Sequence, residues 1–546
     1  MKGIFNLSTC NLSGMRAGRF IGIAAVALTL ACSSDVRESP PPSPAEFELN
    51  ELSVAQLQEG MQSGRYTSRR LVELYLQRIA QIDAAGARLR SVIETNPDAL
   101  AIADALDAER KAKGTRGPLH GIPVLIKDNI DTGDKMLTTA GSLALVGGPA
   151  PRDAFVVERL RAAGVVILGK TNLSEWANIR STKSTSGWSA RGGLVKNPYV
   201  LDRNPCGSSS GTGAAIAASF AAVGVGTETD GSVVCPSAVA ALVGIKPTIG
   251  LVSRAGIIPI AHSQDTAGPM ARTVTDAAVL LNAMVGVDPR DPATSSAPPA
   301  REDYTAALKT NALQGARIGV ARAQYFGYSP STDSLIDAAI AQMKAQGATI
   351  VDPADIPGAA RLDACEIEVL LYELKADLNT YLATRGTTAA ASTLKDLIAF
   401  NERERAREMP YFGQELFIRA EAKGPLTAPE YVAASTMCRR IAGKEGIDAV
   451  MTMHRLDALV VPTLGPAWPT DLQNGDHITG GGSTPAAIAG YPSITVPAGW
   501  AGELPIGLLF MGRAWSESRL IGLAFAYEQA TKHRRPPKFL PTIPFD

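Results

Sequence analysis

The sequence lacks an excess of either charge, and it lacks the cysteine spacings that mark metal or redox sites. Lysine plus arginine and aspartate plus glutamate both number 53, so the formal net charge is zero. Nothing therefore favours the attraction of a polyanion, and no nucleic-acid partner is expected. The six cysteines are scattered without a CxxC pair. A chain of 546 residues can bury a substantial core, so a disulfide framework is not needed.

Histidine is also scarce, and glycine-rich phosphate loops are missing. The five histidines are isolated, with no HExxH or comparable pairing. The glycine-rich residues 224–231 have neither the GxGxxG spacing nor a Walker lysine. We therefore expect no metal and no cofactor.

A long apolar run occurs only near the N-terminus. Arg16 and Arg19 precede the apolar residues 20–31, which end in small side chains. This pattern is typical of a secretory signal peptide over 1–31, and the run is short for a membrane-spanning helix. The protein is therefore expected to be exported. Both arginines also follow Met15, so either this residue or the first methionine serves as the start.

The residues after the apolar run predict an anchor and a tether. Cys32, followed by Ser33 and Ser34, resembles a bacterial lipoprotein junction. We therefore expect the protein either in the periplasm or attached to the cell envelope through a lipid on this cysteine. A cleaved signal with an incidental cysteine is the alternative. Residues 32–46, rich in proline and serine, predict a polar, semi-rigid tether before a folded domain over 47–546.

Helix and strand patterns alternate through the folded part. Residues 67–82 and 334–346 have the apolar spacing of helices. Short apolar runs at 124–126, 165–168 and 456–461 are typical of buried strands. This alternation predicts an α/β fold around a mainly parallel sheet.

The stretch 206–232 contains two turns rich in serine and glycine, joined by small apolar residues. In one interpretation, 207–211 is a GxSxG nucleophile elbow and Ser209 is the nucleophile of an α/β-hydrolase-type esterase. That reaction needs an aspartate and a histidine further along, and the candidates are His454, His477 and His533. The motif is weak in a chain so rich in serine and glycine, and the preceding residues do not have the pattern of a strand.

In the other interpretation the base is a lysine. Lys127 directly follows the apolar run 124–126, where burial of its charge would be costly; alone, it would be interpreted as a salt-bridged lysine. Together with Ser208 and Ser232 it resembles the amidase signature family of serine hydrolases. That family has a lysine after a buried strand, a serine-glycine loop, and a second serine that ends a glycine turn. The separation of 24 residues between the two serines agrees with the family.

The resemblance continues along nearly the whole chain, over about 47–546. Further similar motifs, in the family's order, are TTAGS at 138–142, GKTNLSEW at 169–176, GIKPT at 244–248, SQDTAGPMART at 263–273, LDALVVPT at 456–463 and IAGYPSITVPAG at 488–499. The resemblance implies a single large α/β/α domain, with a mixed, mainly parallel central β-sheet covered by helices. It also implies hydrolysis of carboxylic amide bonds without a cofactor.

Catalytic roles carry over from the family to three residues. Ser232 is the implied acylated nucleophile, and Ser208, after a cis Gly207–Ser208 bond, links it to Lys127 as base. The implied oxyanion hole consists of the backbone amides of Thr229, Asp230, Gly231 and Ser232. Because the unperturbed pKa of lysine is about 10.4, the site must favour the neutral amine. Burial favours the neutral form, whereas Asp128 would oppose it if its side chain turned toward the amine.

Three residues depart from the family's pattern. Cys206 and Ser210 stand where the first loop usually has glycine, and Asp230 replaces a glycine of many members. The first two bear on the local backbone geometry. The third either alters the acyl pocket or points away from it. No catalytic hydroxyl or amine is removed.

Other motifs indicate a subclass. GTETDGS, GLVSR at 250–254, GIIPI at 256–260 and FGQE at 412–415 most resemble the bacterial peptide amidases. The family hydrolyses small amides and peptide amides. Within this range, the similarity to peptide amidases implies C-terminal amides of peptides as substrates. Residues 365–420 are expected either to shape the substrate cleft or to pack as helices. A catalytically silent binding protein on the same fold remains the alternative from another functional class, and the sequence does not indicate an oligomeric state.

Overall fold

The computed structural model describes residues 47–298 and 302–543, which belong to one compact unit. The predicted signal peptide, Cys32 and the tether of 32–46 lie outside the described residues, so the domain boundary at 47 stays a prediction. Among the residues that are described, no helix has both the length and the apolar character needed to cross a membrane.

The described residues contain thirteen strands and sixteen α-helices. The strands are β1 (Val92–Thr95), β2 (Pro123–Lys127), β3 (Val166–Thr171), β4 (Trp188–Ser189), β5 (Gly193–Leu194), β6 (Val223–Glu228), β7 (Val243–Lys246), β8 (Thr266–Ala271), β9 (Arg317–Val320), β10 (Thr349–Val351), β11 (Ala458–Pro462), β12 (Ser493–Ala501) and β13 (Leu504–Met511). The helices are α1 (Val54–Gln62), α2 (Ser68–Arg78), α3 (Ala99–Lys113), α4 (Phe155–Ala162), α5 (Ser210–Ala217), α6 (Val234–Val239), α7 (Val274–Met284), α8 (Pro330–Ala345), α9 (Leu362–Arg385), α10 (Leu394–Arg403), α11 (Arg405–Glu408), α12 (Glu415–Glu421), α13 (Pro429–Arg439), α14 (Asp448–His454), α15 (Thr484–Ala489) and α16 (Glu517–Thr531).

Eleven strands form one mixed sheet in the order β1-β3-β2-β6-β8-β7-β12-β13-β11-β9-β10, and β4 and β5 pair separately. Pairing is parallel in two blocks, β3-β2-β6 and β11-β9-β10, and antiparallel in the remaining pairs. Helices pack along the sheet, for example α7 on β8 and α16 on β12. The predicted α/β fold, one domain with a mixed sheet covered by helices, is confirmed, and its parallel pairing lies in these two blocks.

Local sequence explains the starts of several helices. The side chain of Thr67 accepts a hydrogen bond from the backbone N–H of Arg70 and so caps α2. The side chain of Ser329 caps α8 in the same way, and Pro330 is the first residue of that helix. The predicted apolar runs form β2, β3 and β11, displaced by no more than three residues at either end.

Parallel pairing of β2 with β6 determines where the site lies. Both strands end at the same edge of the sheet, and every residue of both is buried. Lys127 is the last residue of β2, and the turn 229–232 follows the last residue of β6. Two segments about one hundred residues apart in sequence therefore meet at one place, as is usual for ligand sites of α/β sheets.

Candidate active site

Lys127 lies fully buried at the end of β2. Its Nζ is 2.7 Å from Ser208 Oγ, 2.9 Å from Thr227 Oγ1 and 3.2 Å from the Thr227 carbonyl. All of these partners are uncharged, so the structure does not have the salt bridge that the residue alone would have indicated. A neutral amine in this position can accept the Ser208 hydroxyl proton.

The electrostatics of Lys127 favour the neutral amine. Burial lowers the pKa of Lys127 to about 7, although the negative charges of Asp265 and Glu228 act in the opposite direction. At neutral pH a large fraction of the lysine is therefore unprotonated and able to act as a base.

The neighbouring Asp128 does not turn toward the amine. Its carboxylate accepts hydrogen bonds from the Thr139 hydroxyl and the Gly141 backbone N–H, and it lies 3.3 Å from the Arg191 guanidinium. The sequence did not determine whether Asp128 would turn toward the Lys127 amine. In the structure it does not, because Arg191 is the charge partner of Asp128.

Ser208 follows a cis peptide bond to Gly207, as the resemblance implied. A Cβ at residue 207 would collide with the side-chain oxygens of Ser174, Asn178 and Ser186, so a larger residue there would displace these side chains or the turn. The carbonyl of Ser208 accepts a hydrogen bond from the Ser174 backbone N–H at 3.1 Å. These contacts hold the first turn closely against residues 174–186.

The two departures in the first turn are accommodated. Cys206 has a φ of 53°, in the region that favours the glycine it replaces. Ser210 begins α5, and its hydroxyl donates to the Cys206 carbonyl at 2.6 Å. The turn is therefore closed by a side-chain hydrogen bond that glycine could not make.

The second turn presents its backbone amides. Gly231 has a φ of 75°, which a side chain would strain. The buried Glu228 carboxylate accepts the N–H groups of Val233 at 2.8 Å and Val234 at 3.0 Å, which fixes the start of α6. In the described part of the chain, four backbone N–H groups of the turn have no protein acceptor, those of Thr229, Asp230, Gly231 and Ser232. They are available to an anionic oxygen.

Asp230 makes its contacts within the wall of the site. Its Oδ2 accepts a hydrogen bond from the Thr484 hydroxyl at 2.7 Å. Burial raises the pKa of Asp230, against the hydrogen bonds from Ser483 and Thr484. The residue therefore links the second turn to the start of α15.

A chain of hydrogen bonds holds Thr229, the first residue of the second turn. Its hydroxyl donates to Asp265 at 2.6 Å, and its carbonyl accepts from the Gln264 amide at 3.4 Å. Gln264 also donates to Glu366 of α9 at 2.7 Å. Burial raises the pKa of Asp265 to about 6. Sequence reasoning missed this arrangement, because its members come from distant parts of the chain.

A cavity of about 520 Å³ opens beside Ser232. Ser232 lines it and is 8% exposed, whereas Ser208 and Lys127 are fully buried. The cavity is also lined by residues of two rim segments, 177–186 and 476–484. Among the described residues of 365–420, none lines this cavity. That region packs as helices and contacts the site from outside, through Glu366 at the second turn and through Glu415, which accepts hydrogen bonds from the rim residues Ser181 and Thr182.

Ser209 does not suit the role of an elbow nucleophile. It is fully buried, its hydroxyl donates to the Thr227 carbonyl at 3.0 Å, and the hydroxyl oxygen accepts from the Thr227 N–H at 3.2 Å. Residues 195–209, all of them described, contain no strand, whereas an elbow needs a strand directly before it. The histidine candidate His477 is hydrogen-bonded to Asp471 at 3.0 Å. The esterase interpretation is not favoured.

Disulfides were not expected from the sequence, and the described part of the chain has two. Cys206 is bonded to Cys235, with 6.0 Å between their Cα atoms, and Cys365 to Cys438, with 5.9 Å. The sequence does contain an indication of these bonds. Four cysteines, an even number, follow the predicted signal region in a chain expected to be exported, and this pattern favours disulfides.

Comparisons with known proteins give consistent matches. A family model described as Amidase matches residues 70–521, which include Lys127, Ser208 and Ser232. A protein of Arabidopsis thaliana described as a probable amidase is 42% identical over 526 residues, which cover 94% of this chain and 96% of that protein.

Two further relatives differ in their described reactions. The solved structure of the native peptide amidase of Stenotrophomonas maltophilia has 52% sequence identity and a TM-score of 0.87, and the match covers 90% of this chain and 99% of that one. One subunit of the glutamyl-tRNA(Gln) amidotransferase of Symbiobacterium thermophilum is 35% identical over 499 residues, which cover 88% of this chain and 97% of that protein.

Proposed function

The chain belongs to the amidase family, and from this membership we propose that it hydrolyses C-terminal amides of peptides through Ser232, Ser208 and Lys127. Hydrolysis of amide bonds is the reaction of the family, and this chain is an amidase. The observation that carries the residue assignment is the 2.7 Å contact between Lys127 Nζ and Ser208 Oγ, directly beside the cavity that Ser232 lines. A silent binding protein is not favoured, since all three catalytic groups are present.

In the proposed acylation step, the Ser232 oxygen attacks the amide carbon. Ser232 passes its proton to Ser208, which passes its own proton to the neutral Lys127 amine. The carbonyl oxygen becomes an oxyanion and is stabilised by the backbone N–H groups of residues 229–232. The protonated lysine then returns a proton through Ser208 to the leaving nitrogen, and the C–N bond breaks.

Deacylation uses the same residues in the same order. Water replaces Ser232 as the attacking group and loses its proton through Ser208 to Lys127. The acyl–oxygen bond breaks, the carboxylic acid leaves, and Ser232 recovers its proton. One base thus serves both half-reactions, which requires a lysine pKa near the working pH.

Two features support peptide amides as substrates. The peptide amidase of Stenotrophomonas maltophilia is the relative with 52% identity over most of both chains. The cavity rim combines hydroxyl groups of Ser181, Thr182 and Ser184 with the apolar side chain of Ile478, which is 49% exposed. Ser181 and Thr182 donate their hydroxyl protons to Glu415, so such a rim offers hydroxyl oxygens as acceptors for the N–H groups of a peptide backbone, and an apolar contact to a side chain.

Export of the protein is part of the same proposal. The signal-like N-terminus supports it, and so do the two disulfides, since disulfides persist mainly in oxidising compartments. A lipid on Cys32 would keep the protein on the cell envelope. The Cys32→Ala variant should then appear in the soluble periplasmic fraction; wild-type protein already in that fraction would rule out the lipid anchor.

The residue assignment is tested by replacement of single serines. Ser232→Ala should abolish both amide hydrolysis and labelling by a fluorophosphonate, because both need the same nucleophile. Ser209→Ala is the matched control and should keep labelling, since its hydroxyl contacts only backbone. Loss of activity in the control with retention in Ser232→Ala would reverse the assignment.

Substrate class is tested on wild-type enzyme with a panel. Peptide C-terminal amides should be hydrolysed with a higher kcat/KM than aryl anilides, fatty amides or free glutamine. A preference for glutamine would point instead to a reaction like that of the amidotransferase.

A further inference from the structure

One disulfide lies within the candidate active site itself. Cys206 precedes the cis Gly207–Ser208 bond, and Cys235 is the second residue of α6, three residues after Ser232. Both cysteines line the same 520 Å³ cavity as Ser232. The bond therefore joins the segment that carries Ser208 to the segment that carries Ser232.

The two joined segments differ in how they are anchored. The Ser232 turn is fixed by Glu228 at the start of α6 and by the hydrogen bond of Thr229 to Asp265. In contrast, residues 195–209 contain no strand or helix, although all of them are described. Ser208 itself is hydrogen-bonded to the Ser174 N–H and to Lys127, and beyond these two bonds its position depends on contacts made by its immediate neighbours.

Ser208 is attached to the second turn on both of its sides. On the C-terminal side, the backbone N–H of Ser209 donates to the Ser232 carbonyl at 3.2 Å, a bond that does not involve the Ser209 side chain. On the N-terminal side, the covalent link is the disulfide of Cys206. Opening this bond would leave that side to non-covalent contacts, such as the hydrogen bond of the Cys206 N–H to Asn204.

We propose that the Cys206–Cys235 disulfide is a positioning element of amide hydrolysis, which holds Ser208 in line between Ser232 and Lys127. The inference rests on the roles proposed above for these three residues. A proton relay needs donor and acceptor oxygens within about 2.6–3.2 Å. A displacement of about 1 Å can cost a catalytic step about 100-fold. Opening the disulfide should therefore lower kcat more than it changes KM, because the rim segments 177–186 and 476–484 stay in place.

The second disulfide provides a matched control. Cys365–Cys438 joins α9 to α13, and neither cysteine lines the cavity. The double variants Cys206→Ser/Cys235→Ser and Cys365→Ser/Cys438→Ser each remove one disulfide and add the same two hydroxyl groups. Steady-state kcat and KM, the rate of fluorophosphonate labelling and the Tm are measured for both and for wild type.

The expected result is a difference between the variants in kcat and not in KM. Cys206→Ser/Cys235→Ser should lose at least about 10-fold in kcat and in labelling rate, within the range that misplacement of a relay group produces. Its KM should remain within about 2-fold, and Cys365→Ser/Cys438→Ser should keep the wild-type kcat. A wild-type kcat in Cys206→Ser/Cys235→Ser would overturn the inference. If Ser232→Ala is inactive in the same assay, that result would overturn only the role of the disulfide, and the proposed role of Ser232 as nucleophile would still hold.

A second experiment, reduction of already folded enzyme, tests the inference even if Cys206→Ser/Cys235→Ser does not fold. Dithiothreitol is added to Cys365→Ser/Cys438→Ser, in which Cys206–Cys235 is the remaining disulfide of the described chain. The S–S bond is broken and two thiols form, while the dithiol is oxidised to a cyclic disulfide. Activity is assayed before portions are alkylated and the free thiols are counted by mass spectrometry. Activity should fall as Cys206 and Cys235 become free and return on reoxidation; full activity with both thiols free would overturn the inference.

Discussion

Lys127 combines complete burial with three uncharged hydrogen-bond partners, a combination that removes the usual reason for a lysine to stay protonated. Its pKa of about 7 results from two opposed effects, burial and the nearby carboxylates of Asp265 and Glu228. The pKa of the proposed base is therefore set partly by two residues that neither line the cavity nor form a hydrogen bond with the amine.

The pH dependence of kcat/KM should show the effect of burial and of the nearby carboxylates on the pKa of Lys127. The reaction needs neutral Lys127, so kcat/KM of the wild type should rise with pH through about 7 and level off above it. Asp265 has a pKa of about 6 and is mostly ionised in this range. Asp265→Asn removes its negative charge, so the pKa of Lys127 should fall and the midpoint should move to lower pH.

Thr229→Val is the control for this experiment. It removes the hydrogen bond to Asp265 but keeps the carboxyl group. Because that hydrogen bond lowers the pKa of Asp265, its loss makes the carboxylate somewhat less ionised, so the midpoint should move to lower pH by less than in Asp265→Asn, even if kcat falls. An unchanged midpoint in Asp265→Asn would mean that the acidic limb does not belong to Lys127.

At the scale of single elements, the first turn depends on the small size of residue 207. A methyl group on this residue would meet the side-chain oxygens of Ser174, Asn178 and Ser186. Ser174 and Ser186 are buried, so we expect the turn to shift together with these side chains. Gly207→Ala should lower kcat by at least about 10-fold, because Ser208 moves with the turn.

Gly424→Ala is a suitable comparison for this turn variant. Neither glycine has a positive φ, but the nearest atom to a Cβ at residue 424 is 3.7 Å away, an ordinary contact. Steady-state kinetics and Tm of the two variants separate the steric effect from the general effect of adding a methyl group. Equal activity of both would show that the turn adapts.

Elements with a local signal were predictable from sequence, and contacts between distant elements were not. β2 and α8 followed from apolar periodicity, and Ser208 and Ser232 from their motifs. The hydrogen bond between Thr229 and Asp265 joins residues 36 apart, and that between Gln264 and Glu366 joins residues 102 apart. Apolar periodicity in the sequence does not indicate such pairs, because they form only when the sheet and α9 pack together. The position of the Asp128 side chain was undecided for the same reason.

At the scale of the whole molecule, the two disulfides constrain loops of different length. Cys206–Cys235 spans 29 residues and Cys365–Cys438 spans 73. The entropy of loop closure gives stabilisation of about 3.6 and about 4.4 kcal/mol, respectively. The longer loop should therefore matter at least as much for stability, although it lies away from the cavity.

Cys365→Ser/Cys438→Ser should accordingly lower the free energy of unfolding by about 4 kcal/mol with little change in kcat. Denaturant unfolding under non-reducing conditions measures the first quantity, and steady-state kinetics measures the second. Dithiothreitol should remove the difference in stability that is due to this bond. A variant as stable as wild type would mean that α9 and α13 are held together by packing alone.

The burial of Lys127 and Ser208 behind Ser232 has a consequence for how relatives diverge. A substrate in the cavity reaches the hydroxyl of Ser232 and the backbone amides of the second turn, while the proposed base, Lys127, is fully buried behind them. Residues of the rim segments 177–186 and 476–484 can therefore be substituted without a change in the proposed proton transfer from Ser232 through Ser208 to Lys127. Molecules designed to distinguish one member from another should accordingly draw their selectivity from the rim and their reactivity from the serine, because Lys127 is fully buried in the folded site.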